Sequence, residues 1–110
     1  MGKFIISKAS NGEYRFKLKA NNSAIVLVSE GYTSKSACEN GINAVRINSQ
    51  NNDRFEIRTA ANGKSYFILK ATNGQVIGVS QLYETKTDME TGLNAVKLNA
   101  IGATIEDQSI

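Results

Sequence analysis

From Glu13 to Ala20 the chain alternates without a break, Tyr14, Phe16, Leu18 and Ala20 on one side, Glu13, Arg15, Lys17 and Lys19 on the other. Period two with one apolar side predicts a strand that buries a single face. The run before it, Lys3–Lys8, is short and apolar-rich, and Ala9-Ser10-Asn11-Gly12 ends it. Asn-Gly between two such runs predicts a hairpin with a type I′ turn, in which both central residues take positive φ. A second tight turn at Asn22-Ser23 leads into Ala24–Ser29, whose heart, Ile25-Val26-Leu27-Val28, is apolar on both faces. That predicts a strand central in its sheet. After Tyr32 the period lengthens. Cys38, Gly41, Ile42 and Val45 fall on one helical stripe; Ser34-Lys35-Ser36-Ala37 and Thr85-Lys86-Thr87-Asp88 supply N-cap residues, and Ser36 with Glu39, like Thr87 with Glu90, fits a capping box. Asn48 suits the helix end, since Asn tolerates the left-handed conformation.

The same order then recurs. Phe4–Gln50 align without a gap onto Phe55–Ile101 at a constant offset of 51, with 20 of 47 pairs identical. Phe16-Lys17-Leu18-Lys19-Ala20 answers Phe67-Ile68-Leu69-Lys70-Ala71, and Gly41-Ile42-Asn43-Ala44-Val45 answers Gly92-Leu93-Asn94-Ala95-Val96. Self-similarity of that length marks a duplicated supersecondary unit. The mid-helix glycine costs about 1 kcal/mol against Ala. Its presence at the same place twice predicts a close approach of helix and sheet. Ala103–Asp107 reads as one more short strand, lying over 52–56 at the same offset. Each unit is therefore β3-α followed by a strand, and in the first copy that strand runs straight into the first strand of the second. The reading is α+β: one antiparallel sheet with two helices on one face.

Length sharpens this. Each half, residues 3–50 and 54–107, is near the lower limit for an independent core, and only Gln50-Asn51-Asn52-Asp53 separates them. The 110 residues are accordingly expected to form a single domain, 1–110. No apolar run is long enough to span a bilayer, and Met1–Lys8 lacks a signal-peptide core and reads as a strand. One cysteine cannot form an internal disulfide, so a cytoplasmic location is expected. The net charge is +3, with the excess in the first half.

Gly12–Ala20, Ser29-Glu30-Gly31-Tyr32-Thr33-Ser34-Lys35 and Cys38-Glu39-Asn40-Gly41-Ile42 closely resemble the YegP-like family of small bacterial tandem-repeat proteins, an uncharacterised domain. The resemblance covers nearly the whole chain in both copies. It implies two β3-α-β motifs in a single sheet with their last strands exchanged between motifs, and it brings no established activity. The chain departs from the family pattern at Asn22-Ser23, where Asn-Gly is usual, and at Asn48-Ser49, where a proline usually follows the Asn.

Little catalytic chemistry is on offer. The chain has no His, which removes His-activated nucleophiles and most zinc sites. Cys38 is replaced by Met89 in the second copy, as a small hydrophobe would be. Glu39 and Glu90 recur, and capping accounts for them. Lys35 and Lys86 beside Tyr32 and Tyr83 would allow an anion at the helix start, but a Tyr packed at the sheet edge and a solvated Lys is the favoured reading. No glycine pattern for phosphate or dinucleotide is present. No cofactor, metal or catalytic residue is expected, and the chain is read as a non-enzyme.

The remaining surface is the sheet face away from the helices. If Phe16 and Leu18 point to the helices, Arg15, Lys17 and Lys19 form a basic row on the open side, with Tyr66, Ile68 and Lys70 in the corresponding places. These six are the candidate binding surface. The expected function is a small non-catalytic module contacting a protein partner or a second copy. The alternative is nucleic-acid or anion binding on that face, by stacking on Tyr66 and contacts to phosphate.

Overall fold

The computed structural model describes residues 2–110, which leaves Met1 of the expected opening strand outside. Three strands, β1 (Lys3–Lys8), β2 (Tyr14–Lys19) and β3 (Ile25–Val28), lead into helix α1 (Lys35–Asn48). The second copy follows as β4 (Phe55–Thr59), β5 (Ser65–Lys70), β6 (Val76–Val79) and α2 (Lys86–Ala100), and β7 (Thr104–Asp107) ends it. All seven strands form one sheet in the order β4-β5-β6-β3-β2-β1-β7. The apolar strands β3 and β6 are central, as their two-sided hydrophobicity demands, and Val28 pairs with Val79 at the seam between the copies.

Phe4, Phe16, Leu18, Leu27, Phe67 and Leu69 are fully buried beneath the helices, together with Ile42, Val45, Met89 and Val96 from the helices themselves. The seam is asymmetric where it matters for packing. Gly78 takes the place that Leu27 holds in the first copy, and a Cβ there would lie 2.6 Å from Leu27 Cγ. One Leu thus fills the space on the pseudo-twofold axis that two could not share.

The last strand departs from an all-antiparallel plan. β7 runs parallel to β1, with Phe4 opposite Ile105 and Ile6 opposite Asp107, so the sheet is mixed. The strand crosses from the second copy to the edge of the first, as the family resemblance implies. It crosses in that direction alone. In the first copy the corresponding residues are Asp53–Glu56, and these are spent on the 3-10 turn Asn52–Arg54 and the start of β4.

Local signals needed three corrections. At the hairpins Gly12, Gly63 and Gly74 have φ near +85°, but the Asn before each does not. Gly12 N–H donates to Ala9 C=O and Ala9 N–H to Glu13 C=O, a type I turn with a bulge at the following residue instead of type I′. The Asn residues serve through their side chains, Asn11 Oδ1 accepting from Glu13 N–H at 3.0 Å. The N-caps are Ser34 and Thr85, which accept from Ala37 and Asp88 N–H, two residues ahead of the expected capping boxes. Glu39 and Glu90 are therefore exposed helix-surface residues without that role. Asn48 and Asn99 keep ordinary φ and donate to the carbonyls of Ala44 and Ala95, at 2.8 Å each.

Candidate binding face of the sheet

Strand register fixes which side chains share the face away from the helices. One row crosses the whole sheet: Glu56, Ile68, Val79, Val28, Lys17, Ile5 and Glu106. Arg15 and Lys19 flank Lys17 on β2, since residues two apart point the same way. Arg15 and Lys17 are exposed and Lys19 half-buried. Tyr66 and Lys70 flank Ile68 on β5 and are half-buried.

All six expected residues therefore lie on one face, but they do not form one site. β3 and β6 separate β2 from β5, so roughly 14 Å of sheet lies between the two triplets at about 4.8 Å per strand. Ile68 is not available to a ligand. It is only 4% exposed, walled in by Glu56 and Val79 across the strands and by Tyr66 and Lys70 along its own. The open face is thus capped by its own long side chains, not by exposed apolar ones.

The cations differ in their surroundings. Lys70 Nζ lies 2.9 Å from Glu56 Oε1, and Arg58 holds the other carboxylate oxygen of Glu56. The Lys70 and Arg58 hydrogen bonds keep the Glu56 carboxyl below its ordinary range. At the opposite edge Lys3 pairs with Glu106 at 3.2 Å. Arg15, Lys17 and Lys19 make no ion pair or side-chain hydrogen bond among the described residues. Glu56 is the partner that strand alternation alone missed. Its signal was an acid in the second copy where the first has Ile5, diagonal to Lys70.

Elsewhere the structure is quiet chemically. Cys38 is fully buried, and desolvation raises its thiol to about 11, which keeps it protonated at neutral pH. Lys35 is tied to Asp107 at 2.7 Å, which removes it as a free anion ligand. A cleft of about 310 Å³ lies between the β2–β3 turn and α2, floored by Ala20, Val26, Gly92 and Ala95, with Asp88 as its one carboxylate. Among the described residues no group of three His, Cys, Asp or Glu could hold a metal, and no helix is long and apolar enough to cross a membrane.

Comparison with known proteins places the chain. The profile of the family described as Domain of unknown function (DUF1508) matches twice, at residues 9–56 and 60–107. The chain belongs to this family. It is 49% identical over 108 residues to UPF0339 protein YegP of Escherichia coli K12, covering 98% of both chains. It is 46% identical to UPF0339 protein PA0329 of Pseudomonas aeruginosa, covering 97% of both. The solution structure of E. coli yegP, a protein of unknown function, superposes with a TM-score of 0.93 over 98% of this chain and 93% of that one. UPF0339 protein SO3888 of Shewanella oneidensis, 42% identical, also gives 0.93, covering 98% and 92%. The DUF1508 profile matches in tandem, and the high TM-scores hold for the α+β plan as a whole.

Proposed function

We propose that this DUF1508 chain is a single non-catalytic binding domain whose open sheet face docks an acidic surface of a protein partner. The observation that carries the reading is that Arg15, Lys17 and Lys19 hold no ion pair among the described residues, with Lys19 alone in the field of Glu106. Three other strand cations on that face lie beside a carboxylate: Lys3 has Glu106, while Arg58 and Lys70 share Glu56. Three like charges on one strand, spaced about 6.8 Å apart at two residues per step, repel one another until an acidic partner screens them. Burial of Ile68 argues against an apolar contact as the main attraction and leaves charge complementarity in that role.

The same cations favour a second reading, nucleic acid held by its phosphates. The distance of Tyr66 from β2 weakens it, because stacking and phosphate contacts would fall on separate parts of the face.

Fluorescence anisotropy at about 50 mM and about 200 mM salt tests both readings, with labelled polyglutamate and labelled mixed-sequence single strands as probes. The expected result is salt-sensitive binding of polyglutamate that is lost when Arg15, Lys17 and Lys19 are all changed to Ser. Tighter binding of the single strands, with a steep salt slope that flattens in the triple variant, would establish the second reading. Binding unchanged by the triple variant would overturn both.

A further inference from the structure

The pseudo-twofold symmetry is broken most sharply at the sheet edges. β1 has β2 on one side and β7 on the other, whereas its counterpart β4 has β5 alone among the described residues. The fusion of the copies causes this, since the residues corresponding to β7 became the turn before β4.

Everything that β7 satisfies at β1 is left open at β4. Phe4 and Ile6 are completely buried, while Phe55 is half-buried and Ile57 is 48% exposed. Lys35, in the first turn of α1, is held by Asp107 of β7. Lys86, at the same place in α2, is exposed and pairs with no described residue. Lys3 reaches Glu106 of β7, and its counterpart Arg54 likewise has no ion pair among the described residues.

We propose that the free edge of β4 is a strand-addition site for an extended acidic segment of another protein, which lies parallel to β4 as β7 lies beside β1. The β7–β1 register specifies the segment. An apolar residue, in the part of Ile105, faces Phe55 on the helix side. Two positions on, a carboxylate in the part of Asp107 faces Ile57 and meets Lys86. The intervening residue stands on the open face opposite Glu56, which holds the place of Ile5, so an acid in the part of Glu106 meets Arg54 only because Arg58 and Lys70 already hold the Glu56 carboxylate. Main-chain hydrogen bonds to an exposed edge supply affinity in such complexes, and alternate side chains supply specificity. The slot is also charge-complementary. Around it stand Arg54, Arg58, Lys70 and Lys86, against Asp53 in the preceding turn and Glu56, whose carboxylate Arg58 and Lys70 already hold.

A peptide with the sequence of Gly102–Ile110 is the probe, titrated into the full isotope-labelled chain and followed by backbone amide shifts. Shifts at Phe55–Thr59 and in the first turn of α2 are expected. Lys86→Glu should weaken binding at least tenfold, and a peptide carrying Lys in place of Asp107 should recover it. Ile57→Glu, which sets a carboxylate directly opposite the segment's own, should abolish the β4 shifts. No shift up to about 1 mM peptide, a free energy near −4 kcal/mol, would overturn the proposal. So would shifts confined to Lys3–Lys8, which would mean the peptide merely displaces β7. A concentration-dependent dimer that shifts β4 without any peptide would assign the edge to a second copy instead, and would equally overturn it.

Discussion

Tyr32 occupies the space that a side chain on Gly41 would need. A Cβ at Gly41 would collide with the Tyr32 hydroxyl and lie 2.8 Å from Cζ, and Tyr83 stands over Gly92 in the same way, with Cζ at 2.7 Å. Each Tyr ring in turn stacks on the buried Phe of its own copy, Phe16 or Phe67, at 6.2 and 6.4 Å between centroids. Burial raises the pKa of both phenols. Helix and sheet thus approach closely through a tyrosine at the strand-to-helix junction.

Gly41→Ala should therefore destabilise the chain despite its gain in helix propensity. Overpacking costs about 1–3 kcal/mol, against about 1 kcal/mol recovered from the helix. In a Tyr32→Ala background the same substitution should be neutral or stabilising. Urea titrations of the four chains give the coupling. Additive effects would mean that Tyr32 does not hold Gly41 in place.

Ser23 has a φ of 69° at the turn position where Gly74 serves the second copy. A side chain in the left-handed region costs about 1–2 kcal/mol. Ser23→Gly is expected to raise stability by about 1 kcal/mol after the entropy that glycine adds to the unfolded chain. A thermal melt shows it as an upward shift. A lower midpoint would mean that Ser23 adds a stabilising contact of its own.

The Lys35 hydrogen bond, then those from Ser109, hold the Asp107 carboxyl down at about 2 from its ordinary 3.8. A depressed carboxylate contributes stability above its unfolded pKa and loses it as pH falls toward the folded value. The β7 edge should therefore loosen as pH drops from about 4 to about 2. Asp107→Asn should remove part of the pH dependence in that window while costing stability at neutral pH. Amide exchange of β7 followed across the window checks it. Equal slopes for both chains would contradict the ion pair.

How far the sequence reached is clearest at these residues. Alternation through Phe16 and Leu18 placed β2 and its buried face correctly, and two-sided hydrophobicity placed β3 in the middle, because both patterns report burial directly. The offset of 51 located every element of the second copy. What escaped was whatever depends on the partner strand. Parallel pairing of β7 with β1 leaves no mark on four residues, Thr104–Asp107, whose alternation fits either direction. Ile68 alternates to the open face, yet its neighbours bury it. The six candidate residues share a face as read, but their division into a free basic triplet and a compensated one needed the place of Glu56.

Separated halves should fail on their own. β1 gives its outer edge to β7, and β3 its outer edge to β6, both from the second copy. Residues 1–50 expressed alone are expected to be unfolded or to dimerise, which circular dichroism and light scattering distinguish. A well-folded monomer would contradict a shared core.

The central claim is that the row Arg15, Lys17 and Lys19, which holds no ion pair among the described residues, is what the domain binds with. An amide-shift titration of the labelled full chain with polyglutamate tests it most directly. Saturable shifts along Tyr14–Lys19 and at Val28, which pairs with Lys17, are the predicted result, with Ser65–Lys70 of β5 unmoved. Shifts centred on β5, or none across β2 up to about 1 mM, would contradict it.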